Sequence, residues 1–506
     1  MAAVEGGNRL IAGILAHGLE RPDEEALQCG GTRLLWGELR NQVLAVAGTL
    51  SPIVQNGAGR IGILGGASVE LVVAYLATIA AGGCAVPLPA SAHRDALEGM
   101  VTDSEPDLII VHDDLRMVLD GITKAPVIDI TPGPGMPKEL TAAPALQGVI
   151  PVSPDADFNI IYSSGTTGRP KGIVHSHAMR YGQAARSLFG LDRNCTMLLA
   201  TPLYSNTTLM PLLATLFHGG RVILMPKFDA LAYLDLAEAE RATHTMLVPV
   251  QYQRILASDG FEQRDLSSFK IKQSTGAPLQ ASHKQAIVEK WPGRFLEVYG
   301  LTEGGCTCIL DLSAFPHKAH TVGQPAAGND IRIIDEAGNH LPAGERGEII
   351  GRSATMMSGY FRNEEANKAF YWRDTDGTLF HRTGDIGMFD ADGFLVLLDR
   401  RKDMIISGGF NIYASDLEEK LLSHPDVSDA AVIAVPSERW GETPLGLIVP
   451  RSGASVDPQG VLAWANAQLG KMQRLSGVEL REELPRSNVG KVLKQILRQL
   501  YWEEQQ

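Results

Sequence analysis

Short apolar runs alternate with longer amphipathic stretches between about residue 60 and residue 298. The runs predict strands at 60–66, 107–112, 158–164, 196–201, 221–225, 244–249 and 295–300. Helical patterns lie between most of these runs. Nearly continuous apolar strands that are separated by helices are typical of parallel sheets covered on both faces. The pattern therefore predicts an α/β fold with more than one sheet.

The pattern changes after residue 320. Residues 321–359 predict short antiparallel strands with glycine turns, as in a small β-barrel-like subdomain. After the charged segment DRRKD at 399–403, the pattern predicts a helix at 415–423, strands at 429–436 and 445–451, a helix at 457–469 and a last helix from 489. We predict an N-terminal domain of 1–399, with two α/β sheet subdomains and the small β subdomain, and a mobile α+β C-terminal domain of 400–506.

One segment, residues 71–90, is uncharged and has nearly the length that a bilayer requires. Gly82 and Gly83 interrupt it, and Pro87 and Pro89 follow, which favours a helix, a turn and a buried strand. The N-terminal residues lack the basic segment of a signal peptide. We expect neither an integral membrane span nor a signal peptide.

Composition narrows the possible partners and the compartment. The formal charge of −13 argues against nucleic acid, because binding phosphates requires a basic surface. The five cysteines are scattered and form no CxxC pair, so neither a disulfide framework nor a zinc site is indicated, and a reducing cytoplasm is expected. Cys306 and Cys308 alternate as on one face of a strand, which predicts burial.

The strongest local motif is YSSGTTGRPKG at 162–172, directly after an apolar run. Backbone N–H groups and hydroxyls in such a loop can surround anionic oxygens, and Lys171 adds a positive charge. The spacing differs from that of the Walker A loop, and the chain contains no Gly-Lys-Ser/Thr. The motif predicts a phosphate-binding loop of another type.

This loop resembles that of the adenylate-forming (AMP-binding) superfamily, which contains acyl- and aryl-CoA synthetases, stand-alone adenylation domains and luciferases. More segments match in order along essentially the whole chain: STGAPL at 274–279, VYGLTEGG at 298–305, RTGD at 382–385 with DRRKDMIISGGFNIYASDLE at 399–418, and PRSNVGK at 485–491. The resemblance implies that ATP and Mg²⁺ activate a carboxylic acid as an acyl-adenylate. The acyl group then passes to coenzyme A, with release of AMP and pyrophosphate.

The resemblance also assigns roles to residues. Glu303 would hold Mg²⁺, since it follows an apolar strand end and offers carboxylate oxygens. Thr166, Glu303 and Lys491 would be catalytic, with Lys491 stabilising negative charge at the α-phosphate when its domain closes. Taken alone, Glu303 and Lys491 would be ordinary surface charges. The nucleotide contacts implied are Ser163, Ser164, Gly165, Thr167, Gly168, Lys171, Gly276, Ala277, Pro278, Glu297, Val298, Tyr299, Thr302, Asp385 and Arg400.

Two more sets of residues follow from the same resemblance. Lys402 is the implied hinge, and rotation there would exchange the face of Lys491 for that of Gly408 and Gly409, which would let the pantetheine chain of CoA approach the backbone. The implied acyl pocket comprises Tyr204, Ser205, Thr207, Gly300 and Gly304.

The nature of the acid is only partly constrained. Relatives that activate α-amino acids carry an aspartate near the position of Ser205. No carboxylate stands there in this sequence, so the resemblance implies that an amino acid would lack a partner for its ammonium group. Gly300 occupies the position at which acetate-specific relatives carry tryptophan, so we expect an acid larger than acetate. Fatty, cyclic and aromatic acids all remain open.

Two departures from the family and three alternatives remain. Residues 470–474 lack the proline of the family's Tyr-Lys-x-Pro, and Glu297 replaces a common glutamine, which affects details of CoA and adenine contact. The main alternative is a stand-alone adenylating enzyme that loads a separate carrier protein. A regulator on an inactive scaffold and luciferase-like oxygenation are the others. The expected partners are the acid, ATP and CoA, and a homodimer is considered.

Overall fold

The computed structural model describes residues 7–54, 59–133, 135–163, 171–186, 188–407, 410–470, 473–487 and 490–502. They form two compact units, each described by itself. The first contains residues 1–319, 326–330 and 352–379, and the second contains residues 320–325, 331–351 and 380–506. The second unit thus includes part of the small β region together with the C-terminal segment. The predicted boundary at 399/400 stays a prediction.

The helices are α1 (Arg9–Glu20), α2 (Trp36–Val54), α3 (Val69–Ala80), α4 (Arg94–Ser104), α5 (His177–Ala185), α6 (Asn206–Phe217), α7 (Ala230–Ala239), α8 (Pro249–Leu256), α9 (Ala281–Lys290), α10 (Glu364–Phe370), α11 (Ala414–Leu422), α12 (Pro458–Ala467) and α13 (Lys494–Trp502). Short 3-10 helices span Asp113–Leu119, Lys138–Leu140, Phe261–Gln263 and Pro316–Lys318.

The strands are β1 (Glu25–Cys29), β2 (Thr32–Leu35), β3 (Arg60–Leu64), β4 (Cys84–Leu88), β5 (Leu108–His112), β6 (Val127–Ile130), β7 (Asp157–Ser163), β8 (Lys171–Ser176), β9 (Thr196–Leu199), β10 (Arg221–Leu224), β11 (His244–Leu247), β12 (Ile271–Ser274), β13 (Arg294–Gly300), β14 (Thr307–Asp311), β15 (Gln324–Pro325), β16 (Asn329–Ile334), β17 (Gly347–Ser353), β18 (Gly359–Tyr360), β19 (Tyr371–Arg373), β20 (Leu379–Phe389), β21 (Leu395–Arg400), β22 (Ile405–Ser407), β23 (Phe410–Ile412), β24 (Val427–Ser437), β25 (Gly441–Pro450) and β26 (Gly477–Leu480).

Two mainly parallel sheets build the first unit. One has the strand order β14-β13-β12-β11-β9-β10-β1-β2, and the other has the order β18-β8-β7-β4-β3-β5-β6. Each apolar run that was predicted as a strand forms one, and the predicted α/β architecture is confirmed. The strands β4 and β5 are buried along their whole length, as expected where both faces of a sheet are covered.

The uncharged segment 71–90 folds as its glycines and prolines predict. It provides most of α3, whose twelve residues are all buried, then a turn and the buried strand β4. None of the helices in the described stretches is long and apolar enough to cross a membrane. Cys306 and Cys308 are both buried, as predicted.

Antiparallel strands dominate the second unit. The strand β17 pairs with β20, and β20 pairs with β21. Further along the chain, β24 and β25 form a long antiparallel pair, and β26 runs parallel to β25. The helices α11 and α12 pack on one apolar core with these strands, close to where the sequence predicted two helices.

The last helix begins later than predicted. It starts at Lys494 instead of residue 489. Before it, Arg486 and Val492 form an isolated antiparallel bridge, and Gly490 has a φ of +81°. A residue in the left-handed conformation interrupts a right-handed helix, so the helix predicted from the sequence pattern starts too early. The described residues on either side of Lys491 are therefore not part of this helix.

Candidate active site

Neighbouring parallel strands bring two of the predicted nucleotide-binding segments together. Ser274, the last residue of β12, pairs with Glu297 of β13, so the segment after β12 lies beside Val298 and Tyr299. The hydroxyl of Thr275 donates to the carbonyl oxygen of Val298 at 2.8 Å. The carboxyl ends of parallel strands are where α/β folds place ligands.

Glu297 has a structural partner that the sequence motif did not reveal. Its carboxylate is buried and forms an ion pair with the buried Lys284 of α9. It also accepts a hydrogen bond from the backbone N–H of Leu279 at 3.4 Å, directly after Gly276, Ala277 and Pro278. Burial raises the pKa of Glu297, and the nearby Lys284 opposes this shift. Glu297 thus fastens the segment 276–279 to β13.

Glu303 lies in a small polar cluster. Its Oε1 accepts a hydrogen bond from the hydroxyl of Tyr360 at 2.9 Å. The ammonium nitrogen of Lys171 stands 5.2 Å from the centre of the Tyr360 ring. Tyr360 therefore links Lys171 of the phosphate-loop motif to Glu303. The other oxygen of Glu303, Oε2, contacts no group among the described residues. This oxygen can therefore bind a metal ion.

Backbone geometry holds Glu303 in place. Its carbonyl oxygen accepts from the N–H of Met357 at 2.8 Å, and the N–H of Gly305 donates to Thr355 at 3.2 Å. Gly304 has a φ of +72°, and a Cβ there would lie 1.9 Å from the carbonyl oxygen of Thr355. Only glycine fits this close approach. Gly304, which was assigned to the acyl pocket, therefore at least positions the carboxylate next to it.

The preceding residue is anchored from the other sheet. The carbonyl oxygen of Thr302 lies 2.7 Å from Nε2 of His175, whose Nδ1 lies 3.1 Å from the side-chain nitrogen of Asn159. Burial holds the pKa of His175 well below its usual value. A neutral imidazole thus donates to Thr302 and accepts from Asn159.

Three of the predicted acyl-pocket residues, Tyr204, Ser205 and Thr207, lie at the start of α6. Ser205 is its N-cap, and its Oγ accepts from the N–H of Thr207 at 3.2 Å. The hydroxyl of Tyr204 lies 3.3 Å from that of Ser91. A Cβ on Gly276 would stand 3.9 Å from Oγ1 of Thr207, so this element adjoins a predicted nucleotide-binding segment. Gly300 ends β13 and is exposed.

In the second unit, two predicted ribose contacts lie on paired strands. Asp385 of β20 stands opposite Arg400 of β21, and Oδ1 of Asp385 lies 2.9 Å from Nε of Arg400. The carboxylate is buried, and the guanidinium is more exposed. The pair presents an acceptor and a donor side by side.

The predicted hinge residue, Lys402, lies in the turn after β21. Arg498 of α13 donates from Nη1 to the carbonyl oxygen of Lys402 at 2.9 Å and forms an ion pair with Asp403 at 3.2 Å. Burial lowers the pKa of Lys402. The last helix thus fastens this turn within the second unit.

Lys491 is exposed. Its backbone N–H donates to Oγ of Ser487 at 3.2 Å. Arg486 donates to the carbonyl oxygen of Gly490 at 2.7 Å and forms an ion pair with Asp429 at 2.5 Å. The described ends of the loop are therefore braced against β24, and Lys491 is presented at the surface of this unit.

Some predicted site residues lie outside the described residues. They are Ser164, Gly165, Thr166, Thr167 and Gly168 of the phosphate loop, and Gly408 and Gly409 of the CoA-binding motif. The backbone of Ser163 ends β7, and its side chain is also outside the described part.

Comparison with models of protein families identifies the family of this chain. A model described as AMP-binding enzyme matches residues 16–361, and one described as AMP-binding enzyme C-terminal domain matches residues 416–491. The chain belongs to the AMP-binding enzyme family.

Individual relatives of this AMP-binding enzyme agree with the family match. It is 32% identical to a feruloyl-CoA synthase from Amycolatopsis sp. over 477 residues, which covers 94% of this chain and 95% of that protein. It is 34% identical to the indoleacetate–CoA ligase of Aromatoleum aromaticum over 359 residues, with 69% and 68% covered. The crystal structure of ATP-bound MatB from Rhodopseudomonas palustris superposes with a TM-score of 0.90 and 30% identity, over 99% of this chain and 100% of that one.

The family match and the CoA-ligase relatives together place this AMP-binding enzyme in the acyl-CoA synthetase branch of the adenylate-forming superfamily. The predictions of an AMP-forming acid–CoA ligase and of ATP and CoA as its substrates are confirmed at this level.

Sequence reasoning about this AMP-binding enzyme missed several partners of the site. Tyr360 and His175 contact Glu303 and Thr302 in the first unit. In the second unit, the partly buried Lys494 pairs with Glu418 at 2.7 Å, and Asp399 accepts from the N–H of Ala414 at 2.5 Å. Burial raises the pKa of Asp399 to about 6. The charges at 399–403 signalled a cluster, but they did not identify its partners.

Proposed function

We propose that this enzyme converts a carboxylic acid larger than acetate to its acyl-adenylate with Mg-ATP and then to its CoA thioester. A carboxylate oxygen of the acid attacks the α-phosphorus, and the bond to the pyrophosphate oxygen breaks. The CoA sulfur then attacks the acyl carbon, AMP leaves, and the thiol proton passes to solvent. The observation that carries the proposal is the cluster of Lys171, Tyr360 and Glu303 next to the predicted nucleotide-binding segments, on a chain of this family.

Glu303 would hold Mg²⁺. The residues fit this ion, because a partly exposed carboxylate keeps Oε2 available while Tyr360 and the backbone fix the group. When bound, the ion would neutralise phosphate charge. Lys171 would contact phosphate oxygens together with the phosphate loop.

Asp385 would accept hydrogen bonds from the ribose hydroxyls, and Arg400 would contact the ribose or the phosphate. Their ion pair supports these roles, because it orients the buried carboxylate and keeps it next to a permanent positive charge.

Lys491 would bring its ammonium group to the α-phosphate and the acid's carboxylate. This position concentrates developing negative charge, so a cation there lowers the barrier for adenylation in particular. Its exposure next to the ion pair of Arg486 and Asp429 supports the role, since an exposed side chain on a supported segment is accessible to a ligand. Thr166 would contact the phosphates in the same step. Rotation about Lys402 would then bring Gly408 and Gly409 to CoA.

The acid is proposed to be fatty, cyclic or aromatic. Gly300 leaves the end of β13 without a side chain, and Ser205 provides no charge to bind an amino acid. The relatives named for feruloyl-CoA and indoleacetate make aromatic acids the first class to test.

The test is acid-dependent release of AMP and pyrophosphate, with and without CoA, across fatty, cyclic and aromatic acids. We expect strong stimulation by CoA and a thioester product. Pyrophosphate release without CoA stimulation or thioester would favour the alternative, an enzyme that loads a carrier protein. The cytoplasmic location and the homodimer also remain predictions.

A further inference from the structure

One buried arginine in the first unit has no counter-charge within the part of the chain that the structure describes. Arg180 of α5 is 1% exposed. Its Nε donates to Oδ1 of Asn159 at 2.8 Å, and its Nη1 donates to Gln183 at 3.1 Å and to Asn206 at 2.8 Å. All three acceptors are neutral amide oxygens.

The other terminal nitrogen, Nη2, is buried and has no hydrogen-bond partner among the described residues. No carboxylate of the described residues pairs with this guanidinium. A buried positive charge without a partner is strongly destabilising, and a buried donor without an acceptor adds to that penalty. A ligand carboxylate would relieve both penalties, and a neutral carbonyl oxygen would relieve the second.

The neighbours of Arg180 indicate which ligand reaches it. Its partner Asn206 lies between Ser205 and Thr207, two residues of the proposed acyl pocket. Its other partner, Asn159, lies on β7, the strand that leads into the phosphate loop, and is linked through His175 to the residue before Glu303. The acid is the substrate bound in this region.

We propose that Arg180 is a specificity-determining residue that binds a second oxygen acceptor on the acid, remote from the reacting carboxyl group. This inference rests on the proposed function and narrows its substrate class. The acceptor is a carboxylate or a neutral carbonyl oxygen. An acid with only a hydrocarbon end would leave Nη2 unpaired and is therefore disfavoured. Sites built to bind a polar substrate group reject analogues that lack it.

The experiment compares matched acids: terephthalate, 4-acetylbenzoate and 4-methylbenzoate, and adipate and hexanoate. For the wild type, we expect kcat/KM to be about tenfold or more higher for at least one acceptor-bearing acid than for its hydrocarbon analogue. Arg180→Met should bring this ratio close to one, mainly by raising KM for the acceptor-bearing acid. A control variant, Arg193→Met, removes an exposed arginine of the same unit and should leave the ratio unchanged. A wild-type preference for the hydrocarbon analogue in both series would overturn the proposal.

Other outcomes separate a structural role from the proposed one. If Arg180→Met lowers kcat/KM equally for both members of a pair, Arg180 only supports the fold, and the proposal is wrong. If that variant does not fold, Asn206→Ala should lower the same ratio. If no acid gives a thioester, the proposed function fails. Thermal stability then tests the inference alone: an acceptor-bearing acid should raise the Tm of the wild type more than its analogue does, and equal shifts would overturn it.

Discussion

Gly304→Ala tests whether the backbone around Glu303 is as constrained as the structure indicates. An alanine at a φ of +72° adopts a left-handed conformation, which costs about 1–2 kcal/mol. Its Cβ would also lie 1.9 Å from the carbonyl oxygen of Thr355, so the segment at 355–357 must move. That movement breaks the hydrogen bonds that Thr355 and Met357 form with residues 303–305, at about 1 kcal/mol each. We expect a loss of stability of about 3–4 kcal/mol.

Alanine variants of two other glycines measure the conformational cost separately from the cost of the close approach to Thr355. Gly377 has a φ of +84° and open space around it, so Gly377→Ala should lose only the conformational part, about 1–2 kcal/mol. Gly66 has open space and no left-handed φ, and Gly66→Ala should change stability by less than about 0.5 kcal/mol. All three glycines belong to the first unit.

The assay is urea-induced unfolding of the three variants and the wild type, followed by tryptophan fluorescence. The Mg²⁺ dependence of acid-dependent pyrophosphate release is measured in parallel. Gly304→Ala should weaken the apparent Mg²⁺ affinity because Glu303 moves with its backbone, whereas the other two variants should not. If Gly304→Ala loses no more stability than Gly377→Ala, the argument from the close approach to Thr355 is refuted.

The remaining predictions concern the second unit and the acid. Lys491→Ala should slow adenylate formation by about a hundredfold or more but leave thioester formation from supplied acyl-AMP within a few-fold; equal losses in both half-reactions would contradict its role. Gly300→Trp should shift the preferred acid toward acetate or propionate, as kcat/KM values across acid lengths would reveal, and unchanged turnover of long or aromatic acids would count against the pocket assignment. The pKa of Asp399 is raised from 3.8 to about 6 by burial, so its contribution to stability is present below about pH 4 and is lost as the pH rises through 6. The free energy of unfolding of Asp399→Asn, relative to that of the wild type, should therefore rise by up to about 3 kcal/mol between pH 4 and pH 8 in urea titrations. A difference that does not change with pH would contradict this.

The sequence by itself determined the elements of the fold and the family. Apolar runs predicted the strands, because a strand that is covered on both faces is apolar at nearly every position, and a short stretch of sequence shows this. The motifs that contain Lys171, Glu303 and Asp385 could be recognised because each is a short, contiguous stretch of sequence. The exception was the last helix, where a left-handed Gly490 overrides a helical pattern.

The tertiary structure decided which distant residues meet. Tyr360 reaches Glu303 and Lys171, and Lys284 pairs with Glu297, through packing between elements far apart in the chain. No local period encodes such contacts, because they depend on strand order and on how helices cover the sheets. The same reason applies to Arg180: the packing of α5 against α6 buries it beside Asn206, and no carboxylate of the described residues pairs with it.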